Sequence, residues 1–448
     1  MDKITSFKAY DIRGKVPSEL NPDLAYKVAK AFAHLIKAKT IVTGYDIRKS
    51  SGMISDAVKK GLNDSGVNVI DIGLCGTEMI YYATPRFNAD GGIMITASHN
   101  PPEYNGMKFV KRDSVPVGYD SGLNVVEKII IKNELPGTHE NPGNTVKKNI
   151  MEGFINHLKK FFDPDKIKPF KVVVNAGNGC AGLALNALEK ELSIRMLKIF
   201  NEPDSNFPNG VPNPLLIQNR QPTIDAVLKN NADLGVAWDG DFDRCFFFDE
   251  KGNFIEGYYI VGLLAKSILK KNPGEKIVHD PRLVWNTIDI VNKAGGVAVE
   301  SISGHAFIKE KMRKVNAIYG GEMSAHHYFR ENAYSDSGMI PFLLIMQLMS
   351  VENKKLSELV EEMIKTYPCS GEINSEIEKP ANKLKVLESK YSDGEISKID
   401  GLSVSYDSWR FNVRLSNTEP IIRLNVESKG NVELMKEKTE ELLKIIRD

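Results

Sequence analysis

"TIVTGYDIRKSSGMISDAVKKGLNDSGVNVIDIG", residues 40–73, is the stretch from which the fold class follows. Thr40–Asp46 reads as a buried strand, Ser51–Gly66 sets apolar residues at helical spacing and stops on a glycine, and Val67–Gly73 is apolar again. "GGIMITAS" at 91–98 supplies a further strand of the same kind. Unbroken apolar strands alternating with helices predict a parallel sheet covered on both faces.

Working outward, the alternation restarts twice. "KVVVNAGNG" (171–179) is a strand entering a Gly-rich turn, followed by a helix through Leu192, the strand "SIRMLKIF", the helix "TIDAVLKNN" and a strand "ADLGVAWDGDFDR" that ends in acids. "EKGN" (250–253) is a hairpin signal. Beyond it come the helix "YYIVGLLAKSILKK", the strand "KIVHD", the helix "TIDIVNKAG", the strand "VAVES" and the helix "AFIKEKMRKV". From about Thr366 the character changes to strands, "LSVSYDSWRFNVRLS" and "IIRLNVES", with one helix before and one after, which is an α+β pattern. No sequence repeat joins the first three regions; only their alternation recurs. The polar stretch 133–149 reads as a linker. At 448 residues the chain is too long for one core, so about three or four domains are expected. The pattern divides it into 1–150, 151–253, 254–366 and 367–448.

Bulk charge excludes several partners. Lys plus Arg number 59 and Asp plus Glu 58, so no global basic field invites nucleic acid or a membrane surface. Cys75, Cys180, Cys245 and Cys369 lie far apart without a CxxC pair, which argues against zinc and against a disulfide framework. The N-terminal "MDKITSFKAYDIRG" has no signal-peptide core, and the apolar run "MIPFLLIMQLM" is too short for a membrane span. A soluble cytoplasmic protein is expected.

Four stretches could carry chemistry. "DGDFDR" (239–244) sets Asp239, Asp241 and Asp243 at alternate positions, where they repel one another unless a cation joins them. Oxygen ligands without His or Cys favour Mg²⁺. A calcium loop with Glu250 at position 12 fails, because Arg244 stands where glycine is required and a strand follows. A solvated acidic turn is the alternative. "TASHNP" (96–101) halts an apolar strand at Ser98 with prolines behind it, giving either a plain turn or an exposed, immobilised hydroxyl; there is no G-x-S-x-G elbow, and His99 is expected to point away from its neighbour. In "RLSNTEPIIR", Arg414 and Arg423 flank Ser416, Asn417 and Thr418, a phosphate clamp or a braced hairpin. "GGEMSAHH" offers Glu322, Ser324 and His326 on one side of an extended segment, a set suited to sugar hydroxyls, although a surface loop with a capping serine would look similar.

Taken together, "YDIRG" (10–14), "TASHNPPEYNGMK", "DGDFDR", "SGHAFIKEKMR", "GGEMSAHHYF" and "RLSNTEP" resemble the α-D-phosphohexomutase family, in its bacterial phosphomannomutase and phosphoglucomutase branch, over the whole chain and in the family's order. The resemblance implies four domains around a central cleft, three α/β domains with mixed or parallel sheets and a C-terminal α+β domain. It makes Ser98 a phosphorylated serine sharing Mg²⁺ with Asp239, Asp241 and Asp243, with Arg244 adding positive charge. Glu322, Ser324 and His326 would read the sugar. Arg414, Ser416, Asn417, Thr418 and Arg423 would grip the unreacting phosphate. Lys108 and His305 would serve proton transfer or charge stabilisation, and Arg13 would reach the cleft. A hexose 1,6-bisphosphate would be the intermediate and activator, and the protein a monomer or weak homodimer.

Some positions depart from the family pattern: Tyr45 where many relatives carry arginine, Ala325 where glycine is common, and His279 where some place lysine. The wording of the loops, with "HDPRLVWNT", leans toward mannose phosphate as substrate and the supply of nucleotide-sugar synthesis. Phosphoglucomutase or dual specificity is the alternative, followed by a sugar phosphatase and a non-catalytic calcium-binding protein.

Overall fold

The computed structural model describes residues 3–377, 380–415 and 421–448. The chain forms two compact units, Met1–Phe254 with His326–Asn353, and Ile255–Ala325 with Lys354–Asp448.

The first unit opens with six strands: β1 (Ile12–Lys15), β2 (Thr40–Tyr45), β3 (Asn68–Leu74), β4 (Gly91–Ile95), β5 (Tyr104–Lys111) and β6 (Thr145–Lys147). Their order is β1-β5-β4-β2-β3-β6, parallel from β4 through β6, with β5 antiparallel to both β4 and β1. The helices Pro22–Ile36 and Ser51–Asp64 cover one side. Pro22 sits where a helix leaves an amide unpaired anyway, and Asn21 caps the end by accepting from the Leu24 N–H at 2.9 Å. Phe32, Ile54, Val58, Ile93 and Phe109 are fully or almost fully buried in the resulting core. The stretch expected as a linker is corrected in part. Thr145–Lys147 pairs parallel with Val69–Asp71 and closes the sheet's edge.

A second sheet of β7 (Lys171–Asn175), β8 (Arg195–Ile199), β9 (Leu234–Trp238), β10 (Cys245–Phe248) and β11 (Phe254–Ile255) has the order β11-β10-β9-β7-β8. β9, β7 and β8 are parallel and β10 is antiparallel to β9, which repeats the β4-β2-β3 and β5 arrangement. The helix expected through Leu192 runs from Ala181 to Leu188, and a 3₁₀ turn at Glu189–Glu191 finishes it.

In the second unit β12 (Lys276–His279) lies between β13 (Val297–Glu300) and β14 (Tyr319–Gly321), all parallel, which is the same motif a third time. Next in sequence, the hairpin β15 (His327–Phe329) and β16 (Ser335–Asp336) and the helix Met339–Glu352 belong to the first unit. Trp238 Nε1 donates to Gly338 O at 3.0 Å, and its ring meets Phe342 edge-on at 5.3 Å. That burial explains the apolar run "MIPFLLIMQLM"; among the described residues no helix is long and apolar enough to cross a membrane. The second unit ends in an antiparallel sheet of β17 (Ile373–Glu376), β18 (Glu395–Ser397), β19 (Leu402–Ser405), β20 (Trp409–Leu415) and β21 (Ile421–Ser428), ordered β17-β21-β20-β19-β18. The helices Pro380–Lys390 and Val432–Arg447 contribute Leu387, Met435, Leu442 and Ile446 to its core, so this region is α+β.

The triple repeat positions the chemistry. Ser98 follows β4, Asp239 follows β9 and Glu322 follows β14, each in the loop at the carboxyl end of the equivalent strand. Open α/β sheets place ligand sites at those ends.

Candidate active site

The serine loop is rigid for a reason beyond its prolines. Ser98 is 4% exposed and adopts φ +50°, and its N–H donates to Thr96 Oγ1 at 2.8 Å. A left-handed conformation at a non-glycine residue is unfavourable and needs support. The Arg48 guanidinium provides it, donating to four carbonyl oxygens of the loop: Ser98 at 2.9 Å, Asn100 at 2.6 Å, Pro101 at 2.7 Å and Tyr104 at 2.9 Å. Asp46 holds Arg48 in turn, at 3.4 Å. Arg13 reaches the same loop, donating to Asn100 Oδ1 at 2.6 Å while paired with Asp11.

The acidic loop folds onto this serine. Asp239, Asp241 and Asp243 are at most 1% exposed, and Phe242 turns the chain at φ +45°. Gly240 permits the approach, because a Cβ there would lie 2.5 Å from Ser98 O. Ser98 Oγ donates to Asp239 Oδ2 at 2.8 Å and accepts from Arg244 Nη2 at 3.2 Å. His99 does not point away as expected. Its Nδ1 lies 3.1 Å from Ser98 Oγ and also receives Arg244 Nη2. A guanidinium only donates, so that nitrogen accepts and the ring proton sits on Nε2. Burial, then Arg244 and Arg13, push the His99 pKa well down, which keeps the ring neutral.

Lys108, on β5, spans the other two acids, 2.7 Å from Asp241 and 2.6 Å from Asp243. Burial opposes its charge, yet the two carboxylates outweigh burial and raise its pKa. Burial likewise opposes Asp241 ionisation, but Lys108, Thr77 and Ser98 hold that carboxyl below its ordinary range. Asp243 moves the other way, well up, through burial and then the charge of Asp241. With all three acids ionised, Lys108 and Arg244 would leave the triplet one positive charge short, which adds to burial in pushing Asp243 up. Asp241 Oδ1 and Asp243 Oδ1 are buried without a hydrogen bond, and the triplet offers three oxygens within 4.8 Å of one another. These residues fit a small hard divalent cation.

The sugar-loop reading is corrected in shape. Residues 322–325 form a turn, closed by the Ala325 N–H on Glu322 O at 3.0 Å with Ala325 at φ +68°, rather than an extended segment. His326 accordingly falls in the first unit, 3.8 Å from Asp243 and 3.9 Å from Asp336. In the second unit Glu322 Oε1 accepts from the Gly304 N–H at 2.7 Å, directly before His305, which opens the helix His305–Val315. Arg282 donates to Ser324 Oγ at 3.2 Å and to Glu322 at 3.4 Å, and pairs with Asp280 at 2.9 Å. His279 is buried, its Nδ1 2.9 Å from Asp280 O, and the loop's arginine stands three positions later at 282. Glu372 meets Arg414 at 2.9 Å, Arg282 at 3.4 Å and Arg423 at 3.5 Å. Ser416, Asn417 and Thr418 lie outside the described residues.

The sequence-predicted residues therefore fall into two groups. Arg13, Ser98, Lys108, Asp239, Asp241, Asp243, Arg244 and His326 belong to the first unit. His305, Glu322, Ser324, Arg414 and Arg423 belong to the second. Arg48, Thr77, His99, Arg282 and Glu372 were missed. Local signals existed for three of them: "IRKS" after Gly44-Tyr45-Asp46 for Arg48, "TASHNP" for His99 and "HDPRLVWNT" for Arg282.

Comparison with known proteins agrees with this architecture. Models of the phosphoglucomutase/phosphomannomutase family match as α/β/α domain I at residues 5–136, domain II at 152–252, domain III at 256–367 and the C-terminal domain at 372–444. The chain is 50% identical over 456 residues to a phosphomannomutase of Escherichia coli strain K12, with all of both chains covered. It is 52% identical over 460 residues to a phosphomannomutase of Vibrio cholerae, covering 100% of this chain and 99% of the other. A phosphoglucomutase/phosphomannomutase family protein of Burkholderia thailandensis superposes with a TM-score of 0.88 at 28% identity, covering 100% of this chain and 98% of the other. The chain belongs to the phosphoglucomutase/phosphomannomutase family and is an enzyme of the phosphohexomutase type.

Proposed function

We propose that the protein is a phosphomannomutase, interconverting mannose 6-phosphate and mannose 1-phosphate through a phosphoserine at Ser98 and a hexose 1,6-bisphosphate, and so supplying nucleotide-sugar synthesis. The observation that carries this reading is the Ser98 hydroxyl, immobilised between Asp239 and Arg244 beside two further buried carboxylates. The names of the full-length relatives support mannose as the sugar.

Phosphoryl transfer needs positioning and neutralised charge more than covalent help. In the forward half-reaction the bond from phosphorus to Ser98 Oγ breaks as a bond to the sugar hydroxyl oxygen forms; that hydroxyl gives up its proton, and the departing Ser98 Oγ takes one up from the Asp239 side. In the return half-reaction Ser98 Oγ attacks the other phosphate as the bond from that phosphorus to its sugar oxygen breaks; Asp239 Oδ2, 2.8 Å away, is placed to take the serine proton, and the departing sugar oxygen takes up a proton to leave as a hydroxyl. Arg244 Nη2 stabilises charge on Oγ in both directions. Neutral His99 accepts from Arg244 and fixes that guanidinium's orientation. Asp239, Asp241 and Asp243 would hold Mg²⁺, which when bound neutralises phosphoryl oxygen charge. Glu322, Ser324 and Arg282 would read the sugar, and Arg414 and Arg423 would bind the phosphate that is not reacting.

The test joins mass and rate. Purified protein should contain a fraction one phosphate heavier, which excess hexose monophosphate discharges. Ser98→Ala should lack that fraction and lose mutase turnover by on the order of 10³-fold or more. Full turnover in Ser98→Ala would exclude the phosphoserine route. Competing mannose 1-phosphate against glucose 1-phosphate for kcat/KM decides the sugar, and a preference for glucose would replace the present reading with phosphoglucomutase.

A further inference from the structure

The arginines assigned to substrate phosphate already hold an anion from their own chain. Glu372 lies at the start of the C-terminal sheet region, one residue before β17, and its two carboxylate oxygens are shared out. Oε2 accepts from Arg414 Nη2 at 2.9 Å and lies 3.4 Å from Arg282 Nη1, while Oε1 lies 3.5 Å from Arg423 Nη1. Its side chain is 15% exposed and that of Arg414 is 16% exposed, so the pair is largely desolvated. The neighbouring charges are divided unequally. Arg282 also pairs with Asp280 through two side-chain hydrogen bonds, at 3.0 and 2.9 Å. Among the described residues, Arg414 has Asp400 besides Glu372, at the longer distance of 3.8 Å. Glu372 is thus the main compensating charge for Arg414 and a shared one for the other two.

We propose that Glu372 is an internal counter-anion of the phosphate-binding arginines: it holds them in place between substrates, yields them to the incoming phosphate, and takes them back as that phosphate leaves. The inference rests on the phosphate-binding role given above to Arg414 and Arg423. Its chemical logic is that of exchange. Two partly buried guanidinium groups deprived of this carboxylate would be a costly resting state, and would grip a phosphate dianion too firmly to release it. A mutase must release that phosphate within each cycle, because the bisphosphate presents its two ends in turn. A built-in carboxylate lowers affinity for the phosphate and speeds its departure. Glu372 would therefore be a positioning residue that touches the clamp and not the reacting atoms.

The test compares Glu372→Gln, which removes the charge and keeps the shape, with Glu372→Asp, which keeps the charge. KM and kcat for mannose 1-phosphate and the inhibition constant of inorganic phosphate are measured for each. Circular dichroism establishes that each variant is folded. Glu372→Gln should bind phosphate about tenfold more tightly and lower KM by a similar factor, while kcat falls because release slows. Glu372→Asp should lie close to the parent protein in all three. The inference is overturned if Glu372→Gln weakens or leaves unchanged the phosphate affinity, or if both variants raise KM alike, as a merely structural residue would. A Glu372→Gln chain that does not fold is replaced by Glu372→Asp alone, whose failure to retain the parent inhibition constant also overturns it. Absence of any hexose phosphate interconversion by the unaltered protein would instead refute the proposed function.

Discussion

Lys108→Met should make the stability of this protein depend on a divalent cation. The Lys108 ammonium sits 2.7 Å from Asp241 and 2.6 Å from Asp243, all three groups buried. At such distances each attraction amounts to about 6 kcal/mol at an effective dielectric constant of ~20. Most of that is offset by the loss of water around all three charges. The net loss on removing one partner of a buried pair is about 3–5 kcal/mol, because the carboxylates stay behind uncompensated. Among the described residues, Arg244 would then be the one arginine or lysine paired with the triplet. In a unit of this size such a loss lowers Tm by on the order of 10 °C.

The assay is thermal unfolding of parent and variant, each in chelator and in excess Mg²⁺. In chelator the variant should melt well below the parent. Mg²⁺ should raise the variant more than the parent and close most of the gap, since the ion brings the positive charge the lysine no longer supplies. Equal Tm values in chelator would refute the claim that Lys108 compensates the triplet. A gap that Mg²⁺ leaves untouched would refute the placement of the cation among these carboxylates.

Gly240→Ala should test the contact between the serine loop and the acidic loop. Its Cβ would press to 2.5 Å from Ser98 O, so kcat should drop by about 100-fold as the serine is displaced, and an unchanged kcat would rule out that close approach. A pH prediction follows from Glu372, whose carboxyl burial would raise, but which Arg414, Arg282 and Arg423 hold down to about 2, from an ordinary value of 4.5. A depressed carboxylate stabilises the fold above its unfolded pKa and loses that contribution as pH falls through the folded one, here between pH about 4.5 and about 2, with about 3 kcal/mol at stake. Denaturant unfolding across that range should show a shallower loss in Glu372→Gln than in the parent, and identical slopes would contradict the arginine pairing.

What the sequence disclosed, and what it hid, divides along the range of the interactions. The alternation of 40–98 was readable because strand and helix each bury a local, periodic set of side chains. "DGDFDR" was readable because its three charges are neighbours in the chain. The edge strand Thr145–Lys147 was not: all three residues are exposed, so it joins the sheet by backbone bonds and leaves no apolar pattern. His99 and His326 were misdirected by single left-handed residues, Ser98 at +50° and Ala325 at +68°, which rotate the following side chain out of the expected alternation. Arg48 and Glu372 act on partners about 40 to 90 positions away, where no spacing rule reaches.

The same distinction accounts for a threefold architecture without a threefold sequence. A covered parallel strand constrains only what it buries, so β2, β7 and β12 need apolar residues and little else. The loops that leave β4, β9 and β14 are freed from that constraint at equivalent points in space. One became a braced hydroxyl, one a nest of carboxylates and one a hydrogen-bonding turn around Glu322. Their residues have nothing in common because their chemical tasks differ, while their positions coincide because each stands at the carboxyl end of a strand repeated with the same neighbours. The repeat is therefore carried by strand order and not by residue identity.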